Sequence, residues 1–194
     1  DFTSSENDSI NNPNSFINQV VIKWEEEVKK FESKLPDISF SIMRIGLVLS
    51  KSGGLYKICK MLSKLFILSP TGNGNQWQSW IHEKDAAKII LSSCENSWRG
   101  TYNLVAPNPV KQNELINKIA IFNKSRVIFP NIPSFIIKSV FGEMSEVILS
   151  SQKVKSIKLN ESDFSFKYID DALKDLSKNI WHSDIKLRWQ KNCL

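Results

Sequence analysis

Ile38-Ser39-Phe40-Ser41-Ile42-Met43-Arg44-Ile45-Gly46-Leu47-Val48-Leu49 is the stretch on which the fold turns. Its apolar run is near-continuous rather than alternating, which is the pattern of a strand covered on both faces, and it follows a helical segment stopped at Leu35-Pro36-Asp37. A central parallel strand after a helix is expected, and with it an α/β fold. Arg44 interrupts the run. A guanidinium inside an apolar strand requires a carboxylate, phosphate or carbonyl partner, so Arg44 is either half of a buried ion pair or a clamp on a ligand.

Upstream, Phe16, Val20, Trp24, Val28 and Phe31 recur at helical spacing, with Glu25, Glu26, Glu27, Lys29 and Lys30 on the solvent side. Trp24 on that stripe reads as core. Residues 1–15, rich in Ser, Asn and Asp and carrying Pro13, read as extended and solvent-facing. Downstream, Gly53-Gly54 opens an amphipathic helix with Leu55, Ile58, Cys59, Leu62, Leu65 and Phe66 on one face and Lys57, Lys60 and Lys64 on the other. A solvated lysine face is the plain reading, and a membrane-surface helix the sharper one.

Pro70 to Asp85 packs two Gly, two Trp, Gln76 and His82 into sixteen residues. Gly and Asn permit unusual backbone angles while Trp and His present flat faces and polar edges, a mixture suited to a cleft. Gly72-Asn73-Gly74 imitates a dinucleotide loop, but Trp77 stands where a third Gly belongs and no helix follows at once. Asp85 reads as the cap of the next helix, which carries Ala86, Ala87, Ile89, Ile90 and Leu91.

Thr101 to Ala106 forms a short strand, Lys111 to Asn123 a helix, Arg126 to Phe129 a further strand, and Pro133 starts a helix through Val140. The segment from Glu146 to Leu159 reads as helical at first. A last helix at about Ile169 to Asn179 carries Ala172, Leu173 and Leu176, and the tail with Trp181, His182 and Trp189 reads as loosely docked.

Length and composition, 194 residues with 41% hydrophobic and 24% charged, suit an ordinary globular protein. The charge of +6 is spread along the chain and gives no nucleic-acid footprint, although it favours a phosphate-bearing ligand. Cys59, Cys94 and Cys193 form no CxxC pair, so neither disulfide framework nor metal site is expected, and a reducing compartment, the cytoplasm or an organelle, fits. No apolar run is long enough to span a membrane, and no membrane partner is expected. The chain opens Asp1-Phe2-Thr3 with neither initiator Met nor signal peptide, and reads as a piece of a longer polypeptide.

Seven motifs in order then carry a resemblance: Phe16 through Trp24-Glu25, Arg44 to Leu49 with Gly53-Gly54, Gly72 to Gln76, Trp80 to Asp85, Gly100 to Pro107, Phe141-Gly142-Glu143 and Ser151 to Val154. They resemble the C-terminal two-thirds of an atypical extended short-chain dehydrogenase/reductase, in the NAD-dependent epimerase family whose members are often labelled nucleoside-diphosphate-sugar epimerases or cell-division inhibitors. The resemblance implies the C-terminal part of a Rossmann-like α/β fold plus a small, mostly helical module, without the N-terminal dinucleotide-binding βαβ unit. Residues 1–50 would be the remnant of the Rossmann half, 51–145 the substrate-side region with one returning strand at 101–106, and 146–194 the C-terminal module. Ordinary members place Tyr and Lys where this chain has Ile17 and Val21, neither of which transfers a proton. Arg44, Gln76, Trp80 and His82 would then line the substrate side, with Arg44 also near the cofactor, while Asp85 and Asn103 would be structural. NAD(P) is expected in the parent and no cofactor in this piece. The partner is a small molecule such as a nucleotide-sugar, with a homodimer or swapped strand for the isolated piece. A catalytically inactive, dinucleotide-sensing or protein-interaction module is the alternative.

Overall fold

The computed structural model describes residues 3–8, 16–142, 145 and 149–178, of which the side chains at 16, 17, 140 and 141 are left aside. Helix α1 (Phe16–Lys34) leads into strands β1 (Ser41–Ile45) and β2 (Leu47–Leu49), followed by helix α2 (Gly54–Lys64). Strands β3 (Trp77–Gln78) and β4 (Trp80–His82) run into α3 (Glu83–Glu95), and β5 (Gly100–Leu104) and β6 (Val110–Lys111) into α4 (Gln112–Phe122). Helices α5 (Ser134–Phe141) and α6 (Ile169–Ser177) complete the described elements, with one 3-10 turn at Glu161–Asp163.

The sheet is parallel where the apolar run requires it. β1 lies parallel to β5, with Arg44 opposite Asn103, and β2 lies parallel to β4, with Leu47 opposite Trp80 and Leu49 opposite His82. β3 and β6 form an antiparallel pair. The single strand expected over Ile38 to Leu49 is therefore two, divided at Gly46. There the chain leaves one partner for another: the Gly46 N–H donates to the Leu104 carbonyl, and the next N–H, of Leu47, donates to the Ser79 carbonyl.

Side-chain alternation on β2 and β4 separates two cores. Leu49 and Trp80 join Tyr56 and Cys59 of α2, Leu115, Ile116 and Ile119 of α4, and Ala172, Leu173 and Leu176 of α6. Ile81 and Val48 face the other way, onto Ala86 and Ile89 of α3, Leu104, Leu159 and Phe164. Burial pushes the Cys59 thiol up to about 12.

Four expectations are corrected. Trp24 is 69% exposed, because among the described side chains of α1 only Glu25 is buried, and the helix turns Trp24 and Phe31 of its apolar stripe to solvent. The inward face of α2 is set by Tyr56, Cys59 and Ser63, which leaves Ile58 and Leu65 in solvent; Asn123 of the α4 cap donates to the Tyr56 hydroxyl and Ser125 to the Ser63 carbonyl, fixing that rotation. Arg126 to Phe129 is irregular rather than a strand. The segment around Ser4, expected to be solvent-facing, is bridged in parallel to Val154. Most of the stretch from Glu146, and the tail with Trp181, His182 and Trp189, lie outside the described residues.

Candidate functional site

Arg44 lies on β1 opposite Asn103, Trp80 and His82 lie on β4, and Gln76 lies in the loop before β3. Arg44 projects from β1 to Glu25 of α1 in a forked ion pair, Nε to Oε1 at 2.7 Å and Nη2 to Oε2 at 2.8 Å. The hydrogen bonds that Arg44 donates to Glu25 hold its pKa above the ordinary value. Of the two readings of Arg44, the structure displays the ion pair. Glu25, expected on the wet side with its two neighbours, is 8% exposed.

A second carboxylate sits nearby and was missed in the sequence. Glu6, also 8% exposed, accepts from the Asn103 N–H at 3.1 Å, the Ile157 N–H at 2.9 Å and the Ser156 hydroxyl. Burial works to raise its pKa, but these donors outweigh it and hold the carboxyl below the ordinary glutamate value. Asn103 has its own side chain on the Lys155 carbonyl, at 3.0 Å. No spacing rule could have found Glu6, which lies 97 residues from Asn103. The signal for Glu25 was Arg44 itself, which needed an acid, and only one of three successive glutamates faces inward.

Trp80 and His82 share β4 and are both fully buried. The Trp80 indole Nε1 donates to the Asn108 carbonyl at 2.9 Å. His82 caps α3, its Nδ1 accepting the Lys84 N–H at 3.1 Å, and its ring stacks on Phe166 at 3.9 Å between centroids. Its Nε2 is 3.4 Å from Asp175 Oδ2 but not aligned for a hydrogen bond. As placed, these two side chains build the wall from behind and offer no free atom to its surface. The cap expected of Asp85 belongs to His82; Asp85, one turn in, accepts instead from the N–H groups of Ser165 and Phe166 at 3.0 and 2.9 Å.

Burial pushes the His82 pKa down, against the pull of Asp175. A depressed histidine favours the neutral form in the folded state, so the unfolded chain takes up its proton first and stability falls as pH drops through the ordinary histidine value of about 6.5. Thermal melts of the full chain are expected to lose stability between pH 7 and 5, separately from any carboxylate loss below about pH 4.5. His82→Asn, which retains a side-chain cap, is expected to flatten that window; an unchanged slope would refute the assignment.

Gln76 is buried, its amide nitrogen donating to the Thr71 carbonyl at 3.0 Å while Oε1 meets no partner among the described residues. The glycines beside it take left-handed angles, φ 61° at Gly72 and 71° at Gly74. A Cβ at Gly74 would overlap the Asn113 side chain, and the Asn113 N–H donates to the Gly74 carbonyl, so this loop is closed down onto the start of α4. It is followed by β3 and not by a helix N-terminus. The α3 N-terminus, in turn, carries Glu83 and Asp85 in its first turn. Neither place fits a dinucleotide phosphate. A small cleft of about 160 Å³ at the C-terminal end of β5 is lined by Val105, Pro107, Lys155, Ser156 and Phe164 among others.

Comparison with known proteins supplies the family. A domain of unknown function, DUF1731, matches residues 132–176. The chain is 34% identical over 162 residues to the epimerase family protein SDR39U1 homolog, chloroplastic, of Arabidopsis thaliana, covering 82% of this chain and 46% of that protein. An epimerase family protein of Staphylococcus haemolyticus is 34% identical over 168 residues, 84% of this chain and 55% of its own length. Over most of its length the chain is similar to epimerase family proteins. Among solved structures, human epimerase family protein SDR39U1 (isoform 2) with NADPH superposes with a TM-score of 0.78 at 26% identity, covering 92% of this chain and 60% of that one. A nucleoside-diphosphate sugar epimerase from Corynebacterium glutamicum, at 21% identity and TM-score 0.66, covers 98% of this chain and 36% of its own, and speaks for the fold. The chain spans about half the length of the curated relatives it matches. Its α/β class, parallel strands and helical C-terminal part are those of the family's Rossmann-like fold. No described helix is long and apolar enough to cross a membrane.

Proposed function

We propose that the chain is the substrate-side part of a NAD(P)-dependent sugar-nucleotide epimerase or oxidoreductase of the atypical short-chain dehydrogenase type. The observation that carries this reading is the likeness to the human family protein described with NADPH, which extends over 92% of this chain. The dinucleotide would be held by residues outside these 194, since the chain's own Gly72–Gly74 loop is filled by Asn113. In this division of labour residues 1–50 complete the Rossmann half, 51–145 form the substrate side and 146–194 the C-terminal module. Arg44 and Gln76 orient a polar, phosphate-bearing substrate at the wall, the first from its Glu25 pair and the second through its unpartnered Oε1. Trp80 and His82 fix the wall's shape, as Asp85 and Asn103 do. By itself the piece neither binds the cofactor nor turns over substrate.

Ile17 and Val21 favour a second reading, in which the fold binds a dinucleotide and no longer catalyses, because neither side chain carries a proton. Both readings require the intact polypeptide to be stabilised by NADPH through mass action. A thermal-shift titration checks this. An upward shift is expected, with turnover of nucleotide-sugars separating the first reading from the second, and no shift at saturating NADPH would defeat both.

A further inference from the structure

Charge along this chain is segregated in a way that its total conceals. Residues 50–82 and 115–142 contain eight of the 26 basic residues and none of the 20 acidic ones. The fold brings these two segments together. Ser125 Oγ donates to the Ser63 carbonyl at the end of α2, Ser69 Oγ to the Pro130 carbonyl, and Gly72 and Ile132 exchange backbone contacts with the adjoining strand-like segments. At this end of the molecule the side chains that the α2 rotation leaves outside are large and apolar. Ile58, Met61, Leu65, Phe66, Ile67 and, across from them, Phe129 are each between 47 and 62% exposed.

Most of the cations around them meet no carboxylate among the described residues. Lys118 is taken by Glu114 and Asp170, but Lys57, Lys60, Lys64, Lys124 and Arg126 have no carboxylate within ion-pair distance among the described residues. Burial, then the neighbouring Lys64 and Lys51, push the Lys60 pKa down, as expected where like charges crowd without a counter-ion. A monomer surface seldom leaves so much contiguous apolar area open, and an apolar patch ringed by one sign of charge selects its partner by both properties.

We propose that this face, the C-terminal end of α2 with the irregular 125–130 segment, docks peripherally on an anionic lipid surface. The apolar side chains enter the headgroup boundary while the lysines and Arg126 meet lipid phosphate and carboxylate, the two signals that reversible membrane attachment requires. This revises the expectation of no membrane partner, and concerns attachment to one leaflet, not a span. It is independent of the dinucleotide reading.

The test is cosedimentation of the full chain with phosphatidylcholine vesicles, with and without phosphatidylserine, at low and high salt. Binding is expected only with phosphatidylserine and is expected to weaken with salt. Lys57, Lys60 and Lys64 changed together to Gln should lower the partition coefficient more than about tenfold. Phe66→Glu with Leu65→Glu should lower it about tenfold or more while circular dichroism shows the helices intact. If those variants unfold, the lysine set, at surface positions, still decides. Absence of binding, binding that the substitutions leave unchanged, or a chain that buries the face in a dimer by light scattering and ignores vesicles would each overturn the proposal.

Discussion

Asp85→Ala is expected to destabilise the chain by about 3–5 kcal/mol, since two backbone N–H donors would lose their buried carboxylate acceptor. Asp85 is 1% exposed and its two oxygens are each aimed at a separate backbone N–H, those of Ser165 and Phe166. Its removal strands both donors and unfastens the segment that carries Phe164 into one core and Phe166 onto His82. Each bond to a charged acceptor is worth about 1.5–3 kcal/mol. Asp85→Asn should recover little, because its amide end would present N–H to N–H at one of the two positions. Urea denaturation gives the magnitude, and hydrogen exchange gives the place: the amides of 165 and 166 should lose protection before those of α4. A shift under about 1 kcal/mol, in the range of an ordinary surface change, would show that the clamp is dispensable.

Gly46→Ala is expected to cost about 3 kcal/mol or more by overpacking a site that has no room to relax. The backbone there is open to any residue, so the constraint is contact: a Cβ would overlap the Ser79 carbonyl oxygen and come within 2.7 Å of Val105 Cγ1. The Ser79 carbonyl is the acceptor that starts the β2–β4 ladder, so it cannot move aside without opening that sheet. Gly53→Ala is the control. A Cβ at Gly53 meets nothing within 4 Å, and the loss of a glycine at a helix cap costs under about 1 kcal/mol. Equal urea midpoints for the two variants would contradict the argument.

The helices that could be read from the sequence are those whose apolar period faces a partner inside the same chain. Ala172, Leu173 and Leu176 close α6 against α4, and Leu115, Ile116 and Ile119 answer from the other side. Trp24 shows the limit of that reading, because periodicity identifies a face but not what covers it. Tyr56 shows another: one helical register away from the chosen stripe, a tyrosine with a hydrogen-bond partner displaced Ile58 from the core. Arg44 was legible because a charge in an apolar strand demands an explanation, while its partner was one of three glutamates in a row. Trp80 and His82 were expected to line the substrate side, and the structure buries both of them on the short strand β4. Their burial depended on β4 lying between β2 and two layers of helix, a fact of register that a local pattern does not contain. Glu6 was invisible for a simpler reason, since all its partners are distant in sequence.

The buried thiol at the centre of the larger core has a chemical use. With its pKa pushed to about 12, Cys59 presents roughly one thiolate in 10⁵ at neutral pH, and it lies behind α4 and α6, whereas Cys94 is exposed. Reagents that require a thiolate therefore reach Cys59 only through an opening of the α2–α4–α6 packing. The molecule carries an internal clock, in which the rate of alkylation at one sulfur measures how often its core comes apart.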